Sequence, residues 1–160
     1  MFKVSLFQKY LQDKQNKRLS QFTCLIRGLD NIGIGGLGMR ALIVREPYIT
    51  HILQGRKTWE IRCSNCNIRE RIGLIRSGSG FIVGTADIID SKGPLSDEEF
   101  RTNYSKHLVP PDYLNEFRQR CKRKQLYAWV LANPNWLPKP VQYEHRRGLQ
   151  IWVRVPEVPG

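Results

Sequence analysis

A chain of 160 residues with 26 Lys and Arg against 14 Asp and Glu carries a formal net charge of +12, has room for one domain and a tail, and is drawn to polyanions. Hydrophobic residues at 41%, with 4 Trp, 6 Tyr and 6 Phe, exclude a wholly disordered chain and allow a core that needs no staples. No run reaches the roughly 18 apolar residues of a spanning helix, and no lipidation motif is present, so membrane association is not expected.

Residues 1–38 differ from the rest. Met1-Phe2-Lys3-Val4-Ser5-Leu6-Phe7 lacks the sustained apolar stretch of a signal peptide, so the cytoplasm is the default location. Six Lys/Arg against two Asp, among many Gln, Asn and Ser, suggest a short helix or a disordered arm that the domain can do without, the rival reading being a genuine basic tail that helps hold a polyanion. The arm ends in Gly33-Ile34-Gly35-Gly36-Leu37-Gly38, a GxGxxG by letter. A dinucleotide loop needs a strand before it and a helix opening directly after it. Here Met39-Arg40-Ala41-Leu42-Ile43-Val44 follows and reads as a strand, so the glycines read as a linker. Met39 stands just before the apolar run, and glycine codons upstream of it are G-rich like a ribosome-binding site. Translation from Met39 is therefore an expectation, with the domain spanning 39–157.

Ala41 to Val44 is the first strand. Pro47 suits the first turn of a helix, Tyr48, Ile49, Ile52 and Leu53 share one of its faces, and Gly55 is a natural stop. Lys57 to Cys63 alternates like a strand, with Lys57, Trp59, Ile61 and Cys63 on one side and Thr58, Glu60 and Arg62 on the other. Arg71–Arg76 and Phe81–Asp90 are strands joined by the hairpin Ser77-Gly78-Ser79-Gly80. Ser96-Asp97-Glu98-Glu99 is a capping box that opens a helix running to about His107, and Pro110-Pro111 ends it. Tyr113, Leu114, Phe117 and Cys121 mark a further helix. Leu126–Leu131 and Gln150–Val155 are the last strands, separated by Asn133-Pro134-Asn135-Trp136-Leu137-Pro138 as a loop whose indole either stacks on a base or packs in the core. The order predicts an α+β fold, a small mixed barrel with two or three flanking helices.

Four cysteines are present, and only Cys63 and Cys66 form a CxxC pair. A structural zinc site needs four ligands, usually two such pairs. Cys121 and His145 can complete one in space, but no spacing demands it; His51 reads as a surface histidine, and His107 and His145 give no metal pattern. Free thiols in a reducing cytosol are expected, with no metal and no cofactor.

The sharpest feature is Gly55-Arg56-Lys57-Thr58-Trp59-Glu60-Ile61-Arg62. One reading is an exposed strand laced with salt bridges. The other is a polar cleft in which Lys57 and Arg62 donate to phosphate or base carbonyls and Glu60 accepts a base amino group or a proton. Alternation sends Lys57 away from Glu60 and Arg62, so the three share one site only at a twisted start beside Gly55. The pattern GxKxxExR, with Pro47-Tyr48 and a short helix before it, resembles the ASCH (activating signal cointegrator homology) domain. Phe81-Ile82-Val83-Gly84-Thr85-Ala86, Tyr127-Ala128-Trp129-Val130-Leu131 and Gly148-Leu149-Gln150-Ile151-Trp152 resemble its later strands.

The resemblance implies a fold of the PUA-like type (pseudouridine synthase and archaeosine transglycosylase), a small barrel used on RNA. It also implies a ligand cleft around Gly55, Lys57, Glu60 and Arg62. Some members are N4-acetylcytidine amidohydrolases or ribonucleases; the short amidohydrolases have threonine where this chain has Glu60. Tyr48, Arg76 and Ser77 are further candidate ligand contacts. Arg118, Arg120, Lys122, Arg123 and Lys124 form the densest basic run, a phosphate track or simply a helix end solvated by water. The leading expectation is a monomeric module that binds RNA or a nucleotide, with Lys57→Ala and Glu60→Ala impairing ligand binding while the fold survives. The alternatives are an enzyme using Lys57 and Glu60 as an acid/base pair, and an adaptor that docks a protein partner.

Overall fold

The computed structural model describes residues 38–144 and 151–158. The basic arm, the glycines up to residue 36, Cys24, His145 and Gly148-Leu149-Gln150 lie outside them. Six strands form one sheet in the order β2-β5-β4-β3-β1-β6. They are β1 (Gly38–Val44), β2 (Trp59–Arg62), β3 (Arg71–Arg76), β4 (Phe81–Lys92), β5 (Tyr127–Gln142) and β6 (Trp152–Pro156). Only β1 and β3 pair in parallel; the other neighbours are antiparallel. β2 and β6 end the strand order without pairing to each other, so the expected barrel is not closed among the described residues.

β1 begins at Gly38, so Met39 sits inside the strand, opposite Val155. Ala41 and Leu42 are adjacent and both fully buried, which explains why this segment is continuously apolar rather than alternating. Helix α1 (Tyr48–Leu53) follows and buries Ile49, Ile52 and Leu53 among Leu74, Val83, Ala86, Trp129 and Leu131. Gly84 lets α1 approach: a Cβ there would collide with the Leu53 side chain and stand 2.6 Å from the Asn135 carbonyl oxygen.

The capping box forms as expected: the Ser96 hydroxyl accepts from Glu99 N, and Glu99 Oε2 accepts from Ser96 N. The helix it opens does not run unbroken to His107. It divides at Asn103 into α2 (Asp97–Thr102) and α3 (Tyr104–His107). A 3₁₀ turn (Pro111–Tyr113) and α4 (Leu114–Arg120) follow, giving four short helices rather than two or three. Phe100, Val109, Leu114 and Cys121 bury against Trp59, Ile61, Leu126 and Ala128, so this helical layer covers the β2 edge of the sheet.

Two further expectations are overturned. Asn133 to Pro138 is not a loop; it lies within β5, where Trp136 pairs opposite Gly84 at 42% exposure. The prolines there are tolerated because register shifts between Ile82 and Gly84, and between Thr85 and Asp87, break the regular ladder. Nor are the described cysteines all free thiols. Cys63, just past β2, is bonded to Cys121, just past α4, with their Cα atoms 5.2 Å apart. Cys66, the CxxC partner, is a buried free thiol.

Candidate functional site

Gly55 shapes the site through its backbone alone. Its φ is +73°, and no atom lies within 4 Å of where its Cβ would be. This left-handed residue ends α1. The following N–H groups of Arg56 and Lys57 both return to the His51 carbonyl, at 2.9 and 3.0 Å. The tight return turns Lys57 inward before β2 begins, so strand alternation does not apply to it. Lys57 and Glu60 therefore meet, and the exposed salt-bridged strand is ruled out: Trp59, Glu60 and Ile61 are all buried.

The Lys57 side chain is almost wholly buried. Its Nζ donates to the Trp59 carbonyl at 2.6 Å and the His107 carbonyl at 2.7 Å, and lies 3.2 Å from Glu60 Oε2. Three acceptors match the three N–H bonds of an ammonium group. Burial draws the Lys57 pKa below that of an ordinary lysine, and the Glu60 carboxylate opposes the shift. The Tyr48 ring closes the remaining side, 5.1 Å from Nζ. Burial, and then the Glu60 charge, push the Tyr48 hydroxyl above its usual pKa.

Glu60 hands the arrangement outward. Its other oxygen, Oε1, accepts from Arg62 Nη2 at 3.1 Å. The same Nη2 donates to the Ile43 carbonyl at 2.9 Å. The Arg62 guanidinium stands 5.7 Å from the Trp129 ring, which stacks on Trp152 at 5.3 Å. Arg62 Nε is buried and has no hydrogen-bond partner. Lys57, Glu60 and Arg62 thus form one chain of charges, and only its last member reaches open space.

That space is a cleft of about 970 Å³. Arg62, Arg45 and Arg120 line it, together with Tyr48, Tyr113 and Tyr143, the Ser77–Gly80 hairpin, Glu116 and Phe117. Lys57 and Glu60 lie behind its wall. Ser77 is on the rim, whereas Arg76 is held by Glu46 at 2.9 Å and does not line the cleft. The basic run divides as well. Arg120 lines the cleft beside Glu116, with which it forms an ion pair. Arg118 is tied back to the Leu95 carbonyl and Asp97. Lys122, Arg123 and Lys124 are exposed outside the lining. Of the six Arg and Tyr residues on the cleft, four besides Arg62 and Tyr48 come from other loops and helices, and Arg45, Tyr113, Glu116 and Tyr143 carried no local signal. Trp136 is not among the lining residues. No cluster of three or more His, Cys, Asp or Glu able to hold a metal is found among the described residues.

His107, which sequence reasoning left without a role, is fully buried. Its Nε2 lies 2.7 Å from the Phe100 carbonyl, and its Nδ1 accepts from Val109 N at 3.0 Å, a pairing that uses the neutral ring. Burial holds its pKa below 6.5. Below that value the unfolded chain takes up a proton that the folded chain refuses. The stabilisation is therefore complete above 6.5 and is lost as the pH falls through the window beneath it. The melting temperature should drop between pH 7 and pH 5, and drop less in His107→Gln. An equal drop in both proteins would remove His107 as the cause.

The sequence matches the ASCH domain model over residues 42–141, and the chain belongs to that family. Its fold is similar to the crystal structure of ASCH from Zymomonas mobilis, at 14% identity and a TM-score of 0.54, covering 64% of this chain and 72% of that one. A tyrosine-to-phenylalanine variant of the same protein gives 14% identity, a TM-score of 0.54, and coverage of 64% and 74%. A serine-to-alanine variant gives 13%, 0.55, and coverage of 74% and 88%. At these identities the likeness concerns the fold. No curated protein matches the sequence. No helix among the described residues is long and apolar enough to cross a membrane.

Proposed function

We propose that this ASCH domain is a monomeric RNA-binding module of the cytoplasm, and that its cleft takes an unpaired nucleotide of a single strand. The observation that carries this reading is Arg62: a guanidinium fixed by Glu60 and a backbone carbonyl, and still partly exposed on the wall of a cleft that also holds Arg45 and Arg120. Arginine forks suit phosphates and base carbonyls. Tyr48, Tyr113 and Tyr143 offer rings on which an unstacked base can lie. ASCH membership, broadly linked to RNA, points the same way, and the net charge of +12 supplies long-range attraction to phosphate.

The enzymatic alternative finds less support. A catalytic amine needs a free lone pair and access to substrate, whereas Lys57 uses all its donors on buried acceptors and stands behind the cleft wall. The reading is tested by titrating a short single-stranded RNA oligonucleotide at several salt concentrations. Log affinity should fall linearly with log salt, by about 0.7 for each phosphate contacted. Absence of binding at low salt, or a flat dependence, would overturn it.

A further inference from the structure

We infer that the Cys63–Cys121 bond is a thiol–disulfide exchange site that sets the position of one cleft wall, so that a dithiol reductant opens the cleft and weakens RNA binding. This rests on the cleft being the RNA site. The bond joins the two walls next to their arginines: Cys63 directly follows Arg62, and Cys121 directly follows Arg120. α4, which carries Glu116, Phe117 and Arg120 into the lining, has only seven residues. A helix that short does not persist by itself in water, and it has no side-chain cap at its N-terminus. Apart from the disulfide it is held by buried Leu114, by partly buried Phe117, and by Arg118 reaching Leu95 and Asp97. The bond at Cys121 is thus the covalent hold on its C-terminal end.

The two bonded residues differ in exposure. Cys63 is exposed, whereas Cys121 is 2% exposed. A reductant thiolate therefore attacks Cys63 Sγ. The Cys63–Cys121 bond breaks, and Cys121 leaves as a thiolate that takes a proton. The reductant's second sulfur then attacks the mixed disulfide, forms its own intramolecular disulfide and releases Cys63, which is protonated in turn. Two electrons and two protons pass from the dithiol to the protein. The new Cys121 thiol has the Phe117 carbonyl 3.2 Å away as an acceptor, so the reduced state leaves no buried sulfur stranded. With α4 free at its C-terminal end, Arg120 and Glu116 are no longer fixed opposite Arg62.

The test measures two quantities on the full chain, oxidised, reduced with dithiothreitol, and as the Cys63→Ser/Cys121→Ser double variant. The first is amide exchange over residues 114–120; the second is affinity for a single-stranded RNA oligonucleotide at fixed salt. Reduction should speed exchange in that segment while the sheet strands stay protected. If the closed wall then persists in a tenth of the molecules, affinity falls about tenfold, and the double variant matches the reduced protein. Unchanged exchange over 114–120 overturns the inference whatever RNA does. Faster exchange with unchanged affinity also overturns it, while leaving the cleft as the RNA site. Faster exchange with no RNA binding in any form overturns the gating of RNA through failure of the binding reading, which the oxidised protein alone reports.

Discussion

Lys57→Ala should cost about 3–5 kcal/mol of folding stability, the loss typical when one partner of a buried ion pair is removed. The side chain satisfies the Trp59 and His107 carbonyls as well as Glu60. Its removal leaves two buried acceptors and a nearly buried carboxylate without their donor, and an unmet buried group costs more than a made bond gains. Glu60→Gln should cost less, because its amide oxygen still accepts from Lys57. Urea denaturation of the two variants reads the difference. A Lys57→Ala protein within about 0.5 kcal/mol of the parent, the range of ordinary surface substitutions, would show that the lysine is not structurally held. This departs from the expectation that Lys57→Ala leaves the fold intact. By its geometry Lys57 holds Glu60 and, through it, Arg62.

The parts legible in the sequence were those decided locally. The apolar run Ala41–Val44, the helical face of Ile49, Ile52 and Leu53, the capping box at Ser96 and the glycine hairpin at Ser77–Gly80 each carry their own signal, and each formed. Within the motif, the twisted start beside Gly55 is where Lys57 and Glu60 meet. What stayed illegible depends on contacts distant in the chain. Cys63 and Cys121 are 58 residues apart, so their pairing follows from α4 folding over β2. Asn133 to Pro138 has loop chemistry, yet β4 recruits it through shifted pairing. Tyr113 and Tyr143 become a cleft only when α4 and the end of β5 face β2. His107 has no apolar signature; it is buried because its ring stacks on Phe100 at 4.4 Å and satisfies both nitrogens locally.

Arg62→Ala should weaken RNA binding about 10- to 100-fold, since hydrogen bonds to a charged group contribute about 1.5–3 kcal/mol and each 1.4 kcal/mol is tenfold. Stability should change less than for Lys57→Ala, because Glu60 keeps its contact with Lys57 and the guanidinium is partly exposed. Arg62→Lys separates charge from shape. A lysine restores the positive charge but lacks the planar fork, so the salt slope should return towards the parent value while affinity stays low. Lys122→Ala provides the comparison: Lys122 is exposed and outside the cleft lining, so its loss should remove only background attraction to phosphate. Oligonucleotide titrations of the three variants at matched salt, with melting temperatures alongside, distinguish the outcomes. If Lys122→Ala weakens binding as much as Arg62→Ala, RNA is held by the general positive surface and the cleft does not read it. If Arg62→Ala loses affinity and Arg62→Lys does not recover it, recognition depends on the guanidinium that the Lys57–Glu60 pair holds in place.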